Sequence, residues 1–182
     1  RESGYDFSKV RMINLDEYVG IDVNDSNSYR SYMEYYLYSH LNVDRAKMDI
    51  PNGLAKDLNE ECVRYEKLLS KHKVDIQLLG IGGNGHIAFN EPGSSFKSRV
   101  RVEKLTPSTR KANSRYFGSL DQVPVQAITM GIGNIMEAKR IILLASGSKK
   151  AKAVAQLVEG KKSTKCPASA LQDHEDILVI VD

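Results

Sequence analysis

Short apolar runs, punctuated by glycine, proline and asparagine, alternate with helix-length stretches along this chain, and no other feature limits its fold as much. Residues 10–15 form a run with β-branched members that stops at Asp16-Glu17. Residues 28–41 follow a helical pattern, opened by the capping cluster Asp25-Ser26-Asn27-Ser28. After the turn signal Pro51-Asn52-Gly53, the residues Leu54, Leu58, Cys62, Tyr65 and Leu69 recur near the helical period and predict an amphipathic helix over 54–70. Residues 76–79 are a compact apolar strand running into Gly80. Residues 127–130 form the next strand, followed by a helical turn or two over 132–138. The unbroken apolar run 141–145 predicts a strand buried on both faces. Ser146-Gly147-Ser148 leads into a helix with Ala151, Val154, Ala155 and Val158 along one side, and residues 177–181 form a last strand. The pattern predicts one α/β domain over 1–182, with a mostly parallel sheet flanked by helices.

Composition closes off several function classes. Twenty-six basic and 23 acidic residues are interspersed and leave a net charge of only +3, which disfavours nucleic acid and membrane surfaces as partners. No apolar run reaches the roughly 18 residues of a membrane span, and the amino end does not resemble a signal peptide. The two cysteines, Cys62 and Cys166, stand far apart without a CxxC pair, so neither a disulfide framework nor a metal site is expected. A cytoplasmic protein is the simplest reading. One segment breaks the alternation: residues 93–117 are polar and carry Arg99, Arg101, Arg110 and Arg115. It reads either as a solvated connection or as a lid whose arginines suit a phosphate or carboxylate.

In parallel α/β sheets ligands bind beyond the carboxyl ends of the strands. That rule selects Asp16-Glu17, residues 80–91 and residues 146–150. The glycine-rich run Gly80-Ile81-Gly82-Gly83-Asn84-Gly85 matches the dinucleotide fingerprint only in letters, because it leads into His86 and an Asn90-Glu91-Pro92 turn instead of a helix. Glu91 lies close enough in sequence to orient and charge-stabilise the His86 imidazole, which can move protons at neutral pH; spacing alone fits a structural histidine and a turn-capping carboxylate equally well. Asp16 is either a strand-end cap or a working carboxylate, and two adjacent carboxylates at the end of a buried strand are costly unless used or well hydrogen-bonded. Lys150 at a helix start is unfavourable beside the positive end of the dipole, yet the same place suits a bound phosphate. His40, His72 and His174 sit in charged, helical or surface-like contexts and read as structural.

The run 13–20, Ile-Asn-Leu-Asp-Glu-Tyr-Val-Gly, resembles the glucosamine-6-phosphate deaminase family, and so does Leu79-Gly80-Ile81-Gly82-Gly83-Asn84-Gly85-His86-Ile87-Ala88-Phe89-Asn90-Glu91-Pro92. The likeness continues in Leu105-Thr106-Pro107-Ser108-Thr109-Arg110, in Ala112-Asn113-Ser114-Arg115-Tyr116-Phe117 and in Met130-Gly131-Ile132-Gly133, covering essentially the whole chain in order. The resemblance implies a Rossmann-like sheet shared with sugar-phosphate isomerases and phosphogluconolactonases. It implies a cofactor-free reaction in which glucosamine 6-phosphate and water give fructose 6-phosphate and ammonia. It assigns C2 proton abstraction to Asp16, ring opening to His86 assisted by Glu91 and Asn84, and phosphate binding to Arg115 and Lys150. The alternatives are a phosphogluconolactonase, disfavoured by Phe89-Asn90-Glu91-Pro92, and a non-catalytic sugar-phosphate sensor, which has no use for Asp16, His86 and Glu91 together.

Three departures from the family pattern carry expectations. Asn84 stands where some members have Asp, so His86 should be less basic here. Glu103 stands where allosteric members have a Lys that, with an Arg matching Arg101, binds an amino-sugar phosphate; its charge predicts no such activation and a monomer rather than a hexamer. The strand, Gly- and Thr-rich phosphate loop and helix with which the family begins are missing before Arg1, which predicts poor folding and little activity for these 182 residues alone.

Overall fold

The computed structural model describes residues 4–182. Its strands and helices, in chain order, are β1 (Met12–Ile13), β2 (Asp16–Tyr18), α1 (Tyr29–Tyr36), β3 (Met48–Asp49), α2 (Leu58–Lys71), β4 (Ile76–Gly80), β5 (Arg101–Lys104), α3 (Pro107–Phe117), β6 (Gln126–Thr129), α4 (Ile132–Ile135), β7 (Arg140–Ala145), α5 (Ala151–Val158) and β8 (Ile177–Val181). The expected parallel sheet is β4-β7-β8, with β7 in the middle and Leu79 level with Leu143 and Val179. β1 and β3 form a short parallel pair. A third sheet, β2-β6-β5, is antiparallel. It arises from two features that alternation did not reveal. The first run splits at Asn14-Leu15, so Asp16 opens a strand of its own instead of following one. The polar segment 93–117 holds β5 and α3, since Arg101-Val102-Glu103-Lys104 can pair with β6 through its backbone whatever its polarity.

Local signals set most helix ends. The Ser28 hydroxyl accepts from Ser31 N and starts α1, which stops at Tyr36 and gives way to a 3-10 turn at Tyr38–His40. Asp57 caps α2 through Asn59 N and Glu60 N, so this helix begins four residues after Leu54. Thr106 followed by Pro107 starts α3.

The largest core cluster packs Tyr65 and Leu69 of α2 and Ala153 and Leu157 of α5 against Leu79, Ile141 and Leu143. Two expectations are corrected here. Val158 is exposed and Ala151 and Ala155 lie outward, because α5 is apolar nearly all round and tertiary packing, not spacing, chose its buried side. The strand 141–145 is not buried on both faces: Leu144 is 45% exposed, as are Leu78 (55%) and Leu178 (48%) on its neighbours, since no described helix packs on that side. Both Cys62 and Cys166 are buried free thiols, and among the described residues no helix is long and apolar enough to cross a membrane.

Candidate active site

The carboxyl ends of β4 and β7 lie side by side, so residues 81–91 and 146–150 leave the sheet as neighbours. Gly82 N donates to His86 O and Gly85 N to Gly82 O, closing a tight loop. Glycine is required at both positions for different reasons. A Cβ on Gly82 would stand 2.3 Å from the His86 ring, and Gly85 has a φ of +84° with Cys166 Sγ 2.5 Å from where its Cβ would be. Lys150 ends the 3-10 turn Ser148–Lys150, and its Nζ donates to Ile81 O at 2.6 Å. Phosphate-site candidate and histidine loop are thereby tied together.

Within the loop the polar groups form a chain. His86 Nδ1 lies 2.7 Å from Asn84 Oδ1, and Asn84 Nδ2 donates to Glu91 Oε2 at 3.1 Å. A carboxylate only accepts, so Asn84 must turn its amide N–H to Glu91 and its carbonyl to the imidazole. Nδ1 therefore carries the proton in neutral His86, and Nε2 keeps a lone pair for a ligand. Burial lowers the His86 pKa; Glu91 opposes that, and the Lys150 charge reinforces it. The histidine is a neutral base at physiological pH. Asn84→Asp is expected to raise the His86 pKa, because it sets a second negative charge beside Nδ1; a titration of His86 by NMR reads this directly.

Asp16 joins the site by register. It opposes Thr129 in β6, whose hydroxyl accepts from Phe89 N, while Met130 N donates to Leu15 O and Asn90 Nδ2 donates to Met130 O. The strand bearing Asp16 and the loop bearing His86 thus share Thr129 and Met130 as anchors. Tyr65 Oη on α2 donates to Asn14 O, two residues before Asp16, at 2.6 Å. Glu17 points the other way and is fully buried, accepting from Tyr18 N, Tyr29 N and Arg30 N at the start of α1. The Asp16 carboxyl makes no hydrogen bond among the described residues. Burial, with a smaller push from Glu17, raises its pKa to about 8. A carboxyl raised this far keeps its proton in part at neutral pH, and once ionised it is a far stronger base than an ordinary aspartate.

Residues 1–179 match the family of glucosamine-6-phosphate isomerases and 6-phosphogluconolactonases. The chain belongs to this family. It is 51% identical to the glucosamine-6-phosphate deaminases of Halalkalibacterium halodurans and Streptococcus sanguinis, covering all of this chain and 74% and 76% of theirs. The solved structure of a monomeric glucosamine-6-phosphate deaminase superposes with a TM-score of 0.95 at 52% identity, over 97% of this chain and 74% of that one. A 6-phosphogluconolactonase from Thermotoga maritima (TM-score 0.77, 16% identity, 99% of this chain and 76% of that one) shares the fold.

Of the six residues read from the sequence, Asn84, His86 and Glu91 make one hydrogen-bonded chain, Lys150 is fastened to the same loop, and Asp16 adjoins it through β6. Arg115 stands apart. It is exposed on α3, with its guanidinium 4.6 Å from the Tyr116 ring centroid and Nη2 donating to Tyr116 Oη at 2.6 Å. Sequence reasoning gave no role to Thr106 and Thr109, whose hydroxyls reach Glu91 Oε1. The Thr106-Pro107 helix-start signature could have placed the first of them near a turn, but nothing in the spacing pointed it at Glu91. Two open hollows of about 450 and 410 Å³ flank the outer side of α2, lined by residues such as Asn59, Arg64 and Lys67, and contain none of the candidate residues.

Proposed function

We infer that this protein is a glucosamine-6-phosphate deaminase. The observation that carries the reading is the pairing of a neutral His86 relay with an unpartnered Asp16 carboxyl, in a chain about half identical to named deaminases over its whole length. His86 Nε2 takes the proton of the sugar's O1 hydroxyl and returns it to the ring oxygen, opening the pyranose. The Asp16 carboxylate removes the proton from C2 and delivers it to C1, converting the aldehyde and its neighbouring amine into a ketimine. Water adds at C2, and ammonia leaves as the ketone forms. Every step is a proton transfer or an addition of water, so no redox or electron-sink cofactor is called for. Lys150 supplies charge for the phosphate at the start of α5, where helix N–H groups also point at an anion. Arg115 lies about 9 Å along α3 from Thr109, at about 1.5 Å per residue; it leaves Tyr116 to clamp the phosphate, the lid role within 93–117 falling to the carboxyl end of α3 while β5 stays paired with β6. A dianionic sugar phosphate does not cross a membrane unaided, which places the enzyme in the cytoplasm with its substrate.

The Arg101–Glu103 pair supports a monomer without effector control. Arg101 Nε donates to Glu103 Oε2 at 2.8 Å and Nη1 to Asn90 Oδ1 at 2.9 Å, so its charge is already matched by a carboxylate. An amino-sugar phosphate effector would have to displace Glu103 and face its repulsion. Ammonia release from glucosamine 6-phosphate tests the function, with 6-phosphogluconolactone as the control substrate. Turnover of the first and not the second is expected. A rate unchanged by N-acetylglucosamine 6-phosphate, and a monomer mass by light scattering, are expected in the same preparation; lactone hydrolysis without ammonia would reverse the reading.

A further inference from the structure

Glu91 accepts from two sides, and only one belongs to the relay. Its Oε2 faces Asn84, whereas its Oε1 accepts from the hydroxyls of Thr109 and Thr106 in the first turn of α3. Glu91 and Thr109 are both buried, with 5% and 4% of their surface exposed. Thr106 has one hydroxyl proton and three oxygens within reach, those of Glu91, Ser108 and Thr109, and its own oxygen also caps Thr109 N. Thr109 Oγ1 donates to Glu91 Oε1 and to no other acceptor among the described residues, so its proton has no competing use. A buried carboxylate that loses a donor pays a desolvation cost, and it recovers by turning towards another donor. Asn84, already bonded to Oε2, and Thr106 are the donors that remain, and a rotation of Glu91 to readjust between them would pull the amide away from His86.

We propose, resting on the deaminase reading above, that Thr109 is a positioning residue for the proton relay: its hydroxyl fixes Glu91, so the first turn of α3 determines which nitrogen His86 presents to the sugar. Because α3 also carries Arg115, the helix that clamps the phosphate is the helix that aims the base. A conventional packing role for Thr109 would not require the hydroxyl. The two roles separate cleanly, since valine has the shape of threonine without the oxygen and serine has the oxygen without the methyl.

The test compares Thr109→Val, Thr109→Ala and Thr109→Ser in the full chain. Ammonia release gives kcat and KM, and 15N-histidine NMR gives the His86 tautomer. Val and Ala are expected to lower kcat at least tenfold with KM changed less than threefold, while Ser stays within threefold of the parent. In Val and Ala the His86 Nδ1–H tautomer gives way to a mixture; in Ser it persists. A parent-like tautomer in both hydroxyl-free variants, or equal losses in Ser and Val, would overturn the proposal. If the parent releases no ammonia the deaminase reading fails, and the NMR comparison still decides whether Thr109 aims His86.

Discussion

Asp16→Asn is expected to lower ammonia release by about 10³-fold, within the range for loss of a positioned general base, while making the protein more stable at alkaline pH. Both effects come from one cause. The folded-state pKa of Asp16 is raised from 3.8 to about 8, so the folded chain holds a proton there that the unfolded chain has released. The stability linked to that proton is complete below pH 3.8 and is lost as pH rises through about 8. Asparagine carries no charge to desolvate. The variant should therefore be more stable than the parent at pH 9 and unfold at a higher temperature there, with the gap closing towards pH 4. Thermal melts at the two pH values, beside the ammonia assay, check both. A variant less stable at pH 9, or one that keeps turnover, would remove Asp16 as the base.

The second large effect belongs to His86. His86→Gln should cost about 10²-fold in ammonia release, a smaller loss than for Asp16 because sugars also open their rings without help. Exchange of the C1 hydrogen of fructose 6-phosphate with deuterated solvent separates the two roles. It needs a carboxylate at the enolising carbons and no ring-opening of an aminopyranose. It should persist in His86→Gln and disappear in Asp16→Asn. Burial also holds the His86 pKa below 6.5, so the folded state resists protonation more than the unfolded chain. Stability linked to His86 is present above pH 6.5 and falls as pH drops from there towards the lowered folded value. Glutamine removes that acid sensitivity.

Residues close in sequence were the legible part of this site. Asn84, His86 and Glu91 lie within seven positions, and two glycines bend the loop tightly enough for their side chains to meet. The strand–helix alternation likewise showed the parallel sheet, because period and turn residues are local. The antiparallel sheet was not legible. β5 is polar at three of its four positions and lies in a segment rich in arginine, so its strand character comes from pairing with β6 and not from its own pattern. The same holds for α5, whose buried side spacing could not choose, and for Thr109, which stands 18 residues from its partner Glu91.

What the amino-acid order determined by itself was the set of proton-moving groups and the tight turn that joins three of them, since bond lengths and glycine's freedom act over a few residues. Tertiary structure decided how basic Asp16 is, for its desolvation comes from the surrounding fold, with Tyr29 and Tyr65 brought close from distant elements. It also decided which helix steadies Glu91. Solvent exclusion and hydrogen bonding between remote segments exist only once the chain has closed on itself, and no pattern of neighbours encodes them.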